Sequence, residues 1–237
     1  MKSVSTYSDY DTFAWVYNKH WGNQFTPTAL SVIEKLVLPK ISSDARIMDL
    51  CCGTGQLSKL LSERGYKVTG IDGSGEMLKY ASENAPDVKF IQDDARTFKL
   101  LKKQDAVVCM YDSLNHVMEI DELTAVFNNT YKTLKPGGIF LFDMYLEHGY
   151  LTTWKGHYGI VEDDHVCIFP NRYDSEERIG AIDFTIFRLE EEGWRRSDLT
   201  LTQRCYAVTE ILSALEKAGF TGFKSYAHDQ RKGLRPL

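Results

Sequence analysis

The chain has 237 residues, 43% of them hydrophobic and 26% charged, with a formal net charge of −5. This length and composition fit one α/β domain with an ordinary core and argue against extended disorder. Because acidic residues outnumber basic ones, the composition gives no sign of a basic surface that would neutralise phosphates. Nucleic acid is therefore not expected as a partner.

The five cysteines form neither a CxxC pair nor a cluster at zinc spacing. This usage predicts reduced thiols, no metal site and a cytoplasmic protein. The N-terminal segment lacks the apolar run of a signal peptide, and the longest apolar stretches are of strand length, so no membrane partner is expected. The sequence leaves open whether the chain is a monomer or a homodimer.

The first predicted helix opens at Thr26 and Pro27, because threonine caps helices and proline suits the first helical turn. Strands and helices then alternate, which predicts a parallel sheet with helices on both faces. The predicted strands are 46–50, 66–71, 88–92, 106–110 and 139–142. The predicted helices are 56–64, a helix capped by Ser74, and 121–134.

Residues 157–206 depart from this alternation and predict an antiparallel meander of three strands. Residues 182–186 alternate apolar and polar side chains, and residues 190–193 suit a hairpin loop. A helix from Thr209 that stops at Gly219 and a sixth parallel-type strand over 222–226 are predicted to follow. An insertion at this place is well positioned to form a lid or a substrate wall.

The loop after the first strand carries two glycines, Gly53 and Gly55, in front of a helix N-terminus. Such glycines let the backbone turn tightly and approach a ligand. A dinucleotide fingerprint would place a third glycine where Ser58 stands. Asp49 would be unfavourable beside a pyrophosphate but suits a sulfonium or ammonium, which favours S-adenosylmethionine over NAD and disfavours a dehydrogenase.

Two further carboxylates follow strands. Asp72 ends the second strand and is placed to accept the ribose hydroxyls of an adenosyl ligand. Asp94 follows the third strand and is placed to meet the adenine amino group; the alternative is a solvated loop acid.

The segments DLCCGTGQ, GIDGSGEML, DDA, DAVVCMYDSLNHV and LKPGGIFLFD together resemble, in order and spacing, the motifs of class I S-adenosylmethionine-dependent methyltransferases. The resemblance implies an α/β, Rossmann-like three-layer sandwich with a mostly parallel sheet and an antiparallel β insertion after strand five. It implies a single domain over 1–237, with 157–206 as a lid. The family's closing antiparallel strand is doubtful here, because residues 228–237 are short and polar.

The resemblance also implies S-adenosylmethionine as cofactor, with Gly53 and Gly55 against its methionyl part, Asp72 at the ribose and Met77 near the adenine. Cys51 and Cys52 are interpreted as small structural hydrophobes. The expected cofactor site comprises Asp49, Cys51, Gly53, Gly55, Asp72, Gly73, Met77, Asp94, Ala95 and Met110.

Two residues are candidates for catalysis. His116 lies in the polar run that follows strand four, and an imidazole titrating near neutrality can take a proton from a nucleophile. The alternative is that His116 only caps a helix or satisfies a backbone group. Tyr17 belongs to an aromatic N-terminal stretch that includes Tyr7, and the resemblance places it near the transferable methyl. The alternative is a plain amphipathic helix.

In FAWVYN, DSLNHV and the meander, the chain is similar to small-molecule N-methyltransferases, including those that act on amino sugars. The leading hypothesis is methyl transfer to nitrogen or oxygen of a small molecule. An RNA or protein methyltransferase and a non-catalytic S-adenosylmethionine-binding module stay open. Seven residues of the insertion could bind an anionic substrate group or could form an exposed charged face: Arg172, Tyr173, Arg178, Arg188, Arg195, Arg196 and Arg204.

Overall fold

Five parallel strands form the central sheet of the computed structural model, which describes residues 8–229 and 233–236. Every neighbouring pair in this sheet runs parallel, and the order is the third, second, first, fourth and fifth strand. This confirms the mostly parallel sheet. The strands are β1 (Arg46–Leu50), β2 (Lys67–Asp72), β3 (Lys89–Gln92), β4 (Gln104–Cys109) and β5 (Leu134–Phe142).

Four helices lie close to the predicted bounds, whereas the N-terminal helices differ from the prediction and the short helix Glu147–Thr153 was not predicted. No helix in the described part of the chain combines the length and hydrophobicity needed to cross a bilayer. The α-helices are α1 (Ser8–Val16), α2 (Gly22–Leu36), α3 (Gln56–Glu63), α4 (Gly75–Asn84), α5 (Ile120–Thr133), α6 (Glu147–Thr153) and α7 (Val208–Ala218).

Both faces of the sheet are buried under helices, because consecutive side chains of β1 point in opposite directions. Met48 belongs to a core cluster with Phe127 of α5. Its neighbour Ile47 belongs to a second cluster with Ile33 of α2 and Leu61 of α3. The sheet is therefore the middle of three layers, as the α/β interpretation predicted.

The N-terminal helices α1 and α2 are joined by a π-helical turn over Tyr17–Trp21, and we call the run from Ser8 to Leu36 the leading segment. The predicted start at Thr26 and Pro27 is wrong, because α2 begins at Gly22 and holds Pro27 inside it. The Thr26 hydroxyl donates to the Gly22 carbonyl one turn earlier and caps nothing. Tyr7 lies outside the described residues.

The insertion after β5 is an antiparallel sheet of four strands, so the predicted three-stranded meander is wrong in number. The strand that the prediction missed is the outermost, and its side chains are mostly exposed, so its sequence lacks an alternating pattern. The four strands pair in chain order and are β6 (Gly156–Glu162), β7 (His165–Asp174), β8 (Ile179–Glu190) and β9 (Gly193–Arg204).

The insertion packs on the leading segment. Phe13 and Val16 of α1 share an apolar cluster with Phe184 of β8 and Leu201 of β9. Met77 of α4 belongs to the same cluster, so three separate parts of the chain meet above the carboxyl edge of the parallel sheet.

A polar contact joins the same two parts of the chain. The Nε2 atoms of His20 and His165 lie 2.7 Å apart, and Nδ1 of His165 lies 2.5 Å from Oδ1 of Asp164. Asp164 also accepts from Lys19 at 2.9 Å. Because the carboxylate can only accept, Nδ1 of His165 donates to it, and the neutral His20 ring donates to Nε2 of His165. Burial, followed by the neighbouring His165 and Lys19, lowers the pKa of His20.

The strand after α7 is not part of the parallel sheet. Within residues 8–229 and 233–236, β10 (Tyr226–Asp229) pairs antiparallel with β11 (Gly233–Pro236), so the predicted sixth parallel-type strand is wrong. Residues 221–225 are exposed and Gly222 has φ +70°, so this stretch has no apolar face to bury against β5. Among the residues that the structure describes, no closing antiparallel strand joins the five-stranded sheet.

We expect the contact between His20 and His165 to make stability depend on pH. Because the pKa of His20 is lowered in the folded chain, its stabilising effect is complete above about pH 6.5 and declines as the pH falls below that value. Chemical denaturation between pH 7.5 and 5 should therefore show a smaller loss of unfolding free energy in His20→Gln than in the unmodified chain. His157→Gln, at an exposed histidine, serves as control. If the unfolding free energy fell equally with pH in His20→Gln and in the unmodified chain, this explanation would be contradicted.

Candidate functional site

A cleft of about 240 Å³ opens at the carboxyl edge of the parallel sheet, where β1, β2, β3 and β4 end. Open α/β sheets bind their ligands at this edge. Most of the residues predicted from the sequence line this one cleft. They are Tyr17, Cys51, Gly53, Asp72, Gly73, Met77, Asp94, Ala95 and His116.

The loop after β1 forms the floor of the cleft. Cys51 has φ +57° and Gly53 has φ +53°, so the chain turns sharply as it leaves the strand. A Cβ added to Gly53 would lie 3.5 Å from Cε1 of Tyr17, which means that the tyrosine ring covers this bare stretch of backbone. The glycine keeps the space beneath the ring open.

Asp72 holds the two walls of the cleft together. Its Oδ2 accepts the Gly53 N–H at 2.8 Å, and its Oδ1 accepts the Ser74 N–H at 2.9 Å. Burial is the main cause that raises the pKa of Asp72, and these backbone donors oppose the shift. The carboxylate still keeps a lone pair for a further donor, as binding of a hydroxyl requires.

Three predicted cofactor residues do not line the cleft. Asp49 is 2% exposed and accepts from the Ser58 hydroxyl at 2.6 Å, and burial raises the pKa of Asp49 to about 7. Met110 is buried in the apolar cluster between the sheet and α2. Gly55, with φ +81°, lies against α4, where an added Cβ would come within 2.9 Å of Cα of Ala81. These residues support the wall from behind.

The end of the cleft beside β3 contains Met77, Ala95 and two acidic residues. Asp93 and Asp94 both line it, as does Arg96, which the sequence analysis did not select. The Asp94 carboxylate accepts from the Arg96 guanidinium at 2.9 and 2.6 Å. Asp94 is therefore an ion-paired side chain rather than the solvated loop acid of the alternative.

The roof of the cleft comes from the leading segment and the insertion. Tyr10 and Phe13 of α1 line it together with Leu201 of β9. Asp11 fixes α1 in place, because its Oδ1 accepts from the Ser74 hydroxyl at 2.6 Å. Leu201 could not be found from the sequence, since it is one apolar residue among several in an alternating strand.

The other end of the cleft is formed by the chain after β4. Tyr111 (φ +66°) and Asp112 (φ +48°) both have left-handed backbone conformations, which cost about 1–3 kcal/mol each and cluster at functional sites. The strained turn leads into the short 3₁₀ helix Ser113–His116. Tyr111, Ser113 and His116 line the cleft.

His116 is tied to the insertion. Its Nδ1 lies 2.9 Å from the Thr202 carbonyl oxygen of β9, and since a carbonyl can only accept, Nδ1 carries the proton. The ring thus satisfies a backbone group, as the structural alternative predicted, and also lines the cleft. Burial lowers the pKa of His116 to about 4, so the imidazole is neutral at physiological pH.

The arginines of the insertion bind neighbouring groups of the protein. This supports the interpretation that they form a charged face and not an anion-binding site. Tyr173 stacks on Tyr150, with ring centroids 4.8 Å apart. The arginine partners are Asp183 for Arg172, Glu210 for Arg178, the Trp15 ring for Arg188, Glu190 for Arg195, Asp198 for Arg196 and the Glu177 carbonyl for Arg204.

Comparison with known proteins agrees with this geometry. A methyltransferase domain model matches residues 47–138. The putative methyltransferase YqeM of Bacillus subtilis is 31% identical over 191 residues, covering 78% of this chain and 77% of its own length. A dTDP-4-amino-2,3,4,6-tetradeoxy-D-glucose N,N-dimethyltransferase of Saccharopolyspora spinosa is 25% identical over 213 residues, covering 84% of this chain and 80% of its own.

A solved structure shares the fold. An S-adenosylmethionine-dependent methyltransferase from Clostridium acetobutylicum superimposes with a TM-score of 0.72, at 24% identity, over 88% of this chain and 87% of its own. The chain belongs to the S-adenosylmethionine-dependent methyltransferases. The resemblance inferred from the sequence, the Rossmann-like fold and the cofactor are thereby confirmed.

The cleft has the groups that this cofactor requires. A bare glycine backbone lies under Tyr17, a carboxylate with spare lone pairs ends β2, and apolar side chains surround Met77. We expect Gly53 to face the methionyl part, Asp72 the ribose hydroxyls, and Met77 with Ala95 the adenine.

Gly55 should matter for stability more than for ligand contact. Gly55→Ala places a Cβ against the α4 backbone and forces a side chain to φ +81°, so we expect a loss of about 2–4 kcal/mol of unfolding free energy. Gly137→Ala is the control, because Gly137 has φ +76° but no atom within 4 Å of the added Cβ. Its loss should be only about 1 kcal/mol. Equal losses in urea denaturation would refute the packing role.

Asp72→Asn should weaken S-adenosylmethionine binding by roughly 10- to 100-fold, because a charged acceptor for the ribose hydroxyls is replaced by a neutral amide. The amide oxygen can still accept one backbone N–H, so the fold should persist. Isothermal titration measures the affinity. Asp44→Asn, at an exposed carboxylate on the protein surface, is the control. Unchanged affinity in Asp72→Asn would overturn the site assignment.

Proposed function

We propose that this protein transfers a methyl group to a nitrogen atom of a small molecule. The observation that carries the proposal is that Tyr17 and His116 line the same cleft as Gly53 and Asp72, under the roof formed by the leading segment and the insertion. The relative from Saccharopolyspora spinosa, named as an N,N-dimethyltransferase of an amino sugar, supports nitrogen over oxygen.

The roof and the charge support a small acceptor over a macromolecule. Phe13 and Leu201 line the cleft from above, and its volume of about 240 Å³ is of the order that small-molecule sites have. The net charge of −5 and the paired arginines of the insertion offer little to an RNA backbone. The free cysteines of the described residues fit a cytoplasmic setting.

Bound S-adenosylmethionine supplies a methyl group on a positively charged sulfur. The residues around Tyr17 suit such a charge, since Asp49, Asp72 and Asp112 all influence its hydroxyl. Burial, followed by the charges of Tyr111 and these acids, raises the pKa of Tyr17 well above its usual range, so the phenol keeps its proton. Tyr17 therefore acts as a hydrogen-bond donor and a positioning surface.

An amine acceptor is mostly an ammonium ion at neutral pH, so a proton must leave the nitrogen before its lone pair can attack the methyl group. His116 is neutral at physiological pH and is the imidazole on the cleft wall in the described residues. Its Nδ1 is committed to the Thr202 carbonyl, which leaves Nε2 as the atom that can hold the departing proton. Methyl transfer to an amine depends mainly on alignment of the nitrogen with the methyl group. Removal of the proton by a general base adds to the rate.

A matched panel of acceptors tests the proposal. Amino sugars and simple amines, each paired with the corresponding alcohol, are incubated with S-adenosylmethionine, and S-adenosylhomocysteine and methylated products are measured by mass spectrometry. We expect methylation of at least one amine and not of its alcohol partner. His116→Asn should lower kcat by about 100-fold or more while cofactor affinity stays nearly unchanged.

The other outcomes each contradict the proposal. Preferential methylation of the alcohols would assign oxygen transfer. Activity on RNA or protein substrates but not on the panel would assign a macromolecular acceptor. Normal cofactor binding without turnover on any of these would indicate a non-catalytic binding module.

A further inference from the structure

Gln203 of β9 lies between two titratable groups of the site. The side chain is 2% exposed, and its Nε2 donates to Oδ2 of Asp112 and lies 3.0 Å from Nε2 of His116. Its Oε1 accepts from the Tyr150 hydroxyl at 2.8 Å. The amide thus uses both of its N–H groups and its oxygen within one buried network.

The partners fix which way the amide points. With Nδ1 of His116 bound to the Thr202 carbonyl, the Nε2 atom of a neutral ring can only accept. A turned amide would place Oε1 against this lone pair and against the Asp112 carboxylate, and both contacts would be repulsive. The observed orientation therefore requires a neutral imidazole that accepts at Nε2 and an Asp112 oxygen that accepts from the amide.

We propose that Gln203 is a positioning residue that controls proton uptake by His116. While the amide donates to Nε2, the lone pair needed for the acceptor's proton is occupied. For the acceptor's proton to reach Nε2, the amide must first move off this lone pair. Once Nε2 carries the proton, the turned amide can accept the new N–H through Oε1, and Asp112, after taking a proton from solvent, donates to the same oxygen. The Tyr150 hydroxyl can donate or accept, so it can bind the amide in either orientation.

This inference rests on the proposed role of His116 in methyl transfer, but the titration of the imidazole tests it without turnover. Burial raises the pKa of Asp112 to about 7, with Asp143 adding to the shift and Gln203 opposing it. The titratable groups around His116 and Asp112 come from four parts of the chain. They are Tyr10 and Tyr17 of the leading segment, Tyr111 after β4, Asp143 after β5, and Tyr145 and Tyr150 at α6.

The experiment is an NMR titration of the His116 imidazole, assigned by its absence in His116→Asn. Gln203→Met keeps the side-chain volume but removes the donor, and we expect the pKa of His116 to rise by about one, the equivalent of one lost hydrogen bond. Gln203→Glu should raise it further, because a carboxylate beside Nε2 favours the imidazolium. With the amine identified by the panel, the pH dependence of kcat/KM should shift in the same direction.

The control is Gln104→Met, which removes an equally buried glutamine from β4. Gln104→Met should destabilise the fold about as much as Gln203→Met does, and it should leave the His116 titration unchanged. Should Gln203→Met fail to fold, Tyr150→Phe removes the hydroxyl that holds the amide beside His116, which weakens its donation to Nε2 and should give a smaller rise in the same direction. An unchanged His116 titration in these variants, or an equal change in Gln104→Met, would overturn the proposal. Inactivity towards every acceptor, with the titration shifted as expected, would instead count against the proposed function.

Discussion

The carboxylate of Asp72 is the contact on which the rest of the site depends. It accepts one N–H from the loop after β1 and one from the start of α4, and so fixes the separation of two loops that leave neighbouring strands. Ser74, which caps α4 through its contact with Met77, also donates to Asp11 of the leading segment. The floor, one wall and the roof of the cleft are therefore joined within a few bonds, and the site forms only when all three are in place.

Three acids buried around the cleft carry a charge that is costly to bury. Burial raises the pKa of Asp49 and of Asp112 to about 7 and of Asp143 to about 6, and each has a hydrogen-bond donor but no cationic partner in the contacts of the site. A sulfonium cofactor would supply the missing positive charge. Its binding energy would then come partly from relieving this unfavourable arrangement, and partly from apolar contacts around Met77.

The insertion is as much a part of the site as the parallel sheet. It contributes Leu201 to the cleft and binds His116 through the Thr202 carbonyl and the Gln203 amide. It also packs on α1 through Phe184. The strand β9 therefore contacts both the roof of the cleft and the imidazole of His116.

The sequence by itself determined the alternation of strands and helices, the glycine loop, the acids that end β2 and follow β3, and the family, because these depend on local patterns of a few residues. The tertiary structure decided what those patterns leave open. It placed Asp49, Gly55 and Met110 behind the wall, it paired β10 with β11 instead of extending the sheet, and it added a fourth strand to the insertion. The roles of Leu201 and Gln203 had no local signal, since both are ordinary residues of an alternating strand. Only contacts between distant segments, set by how the insertion and the leading segment pack together, give them their place.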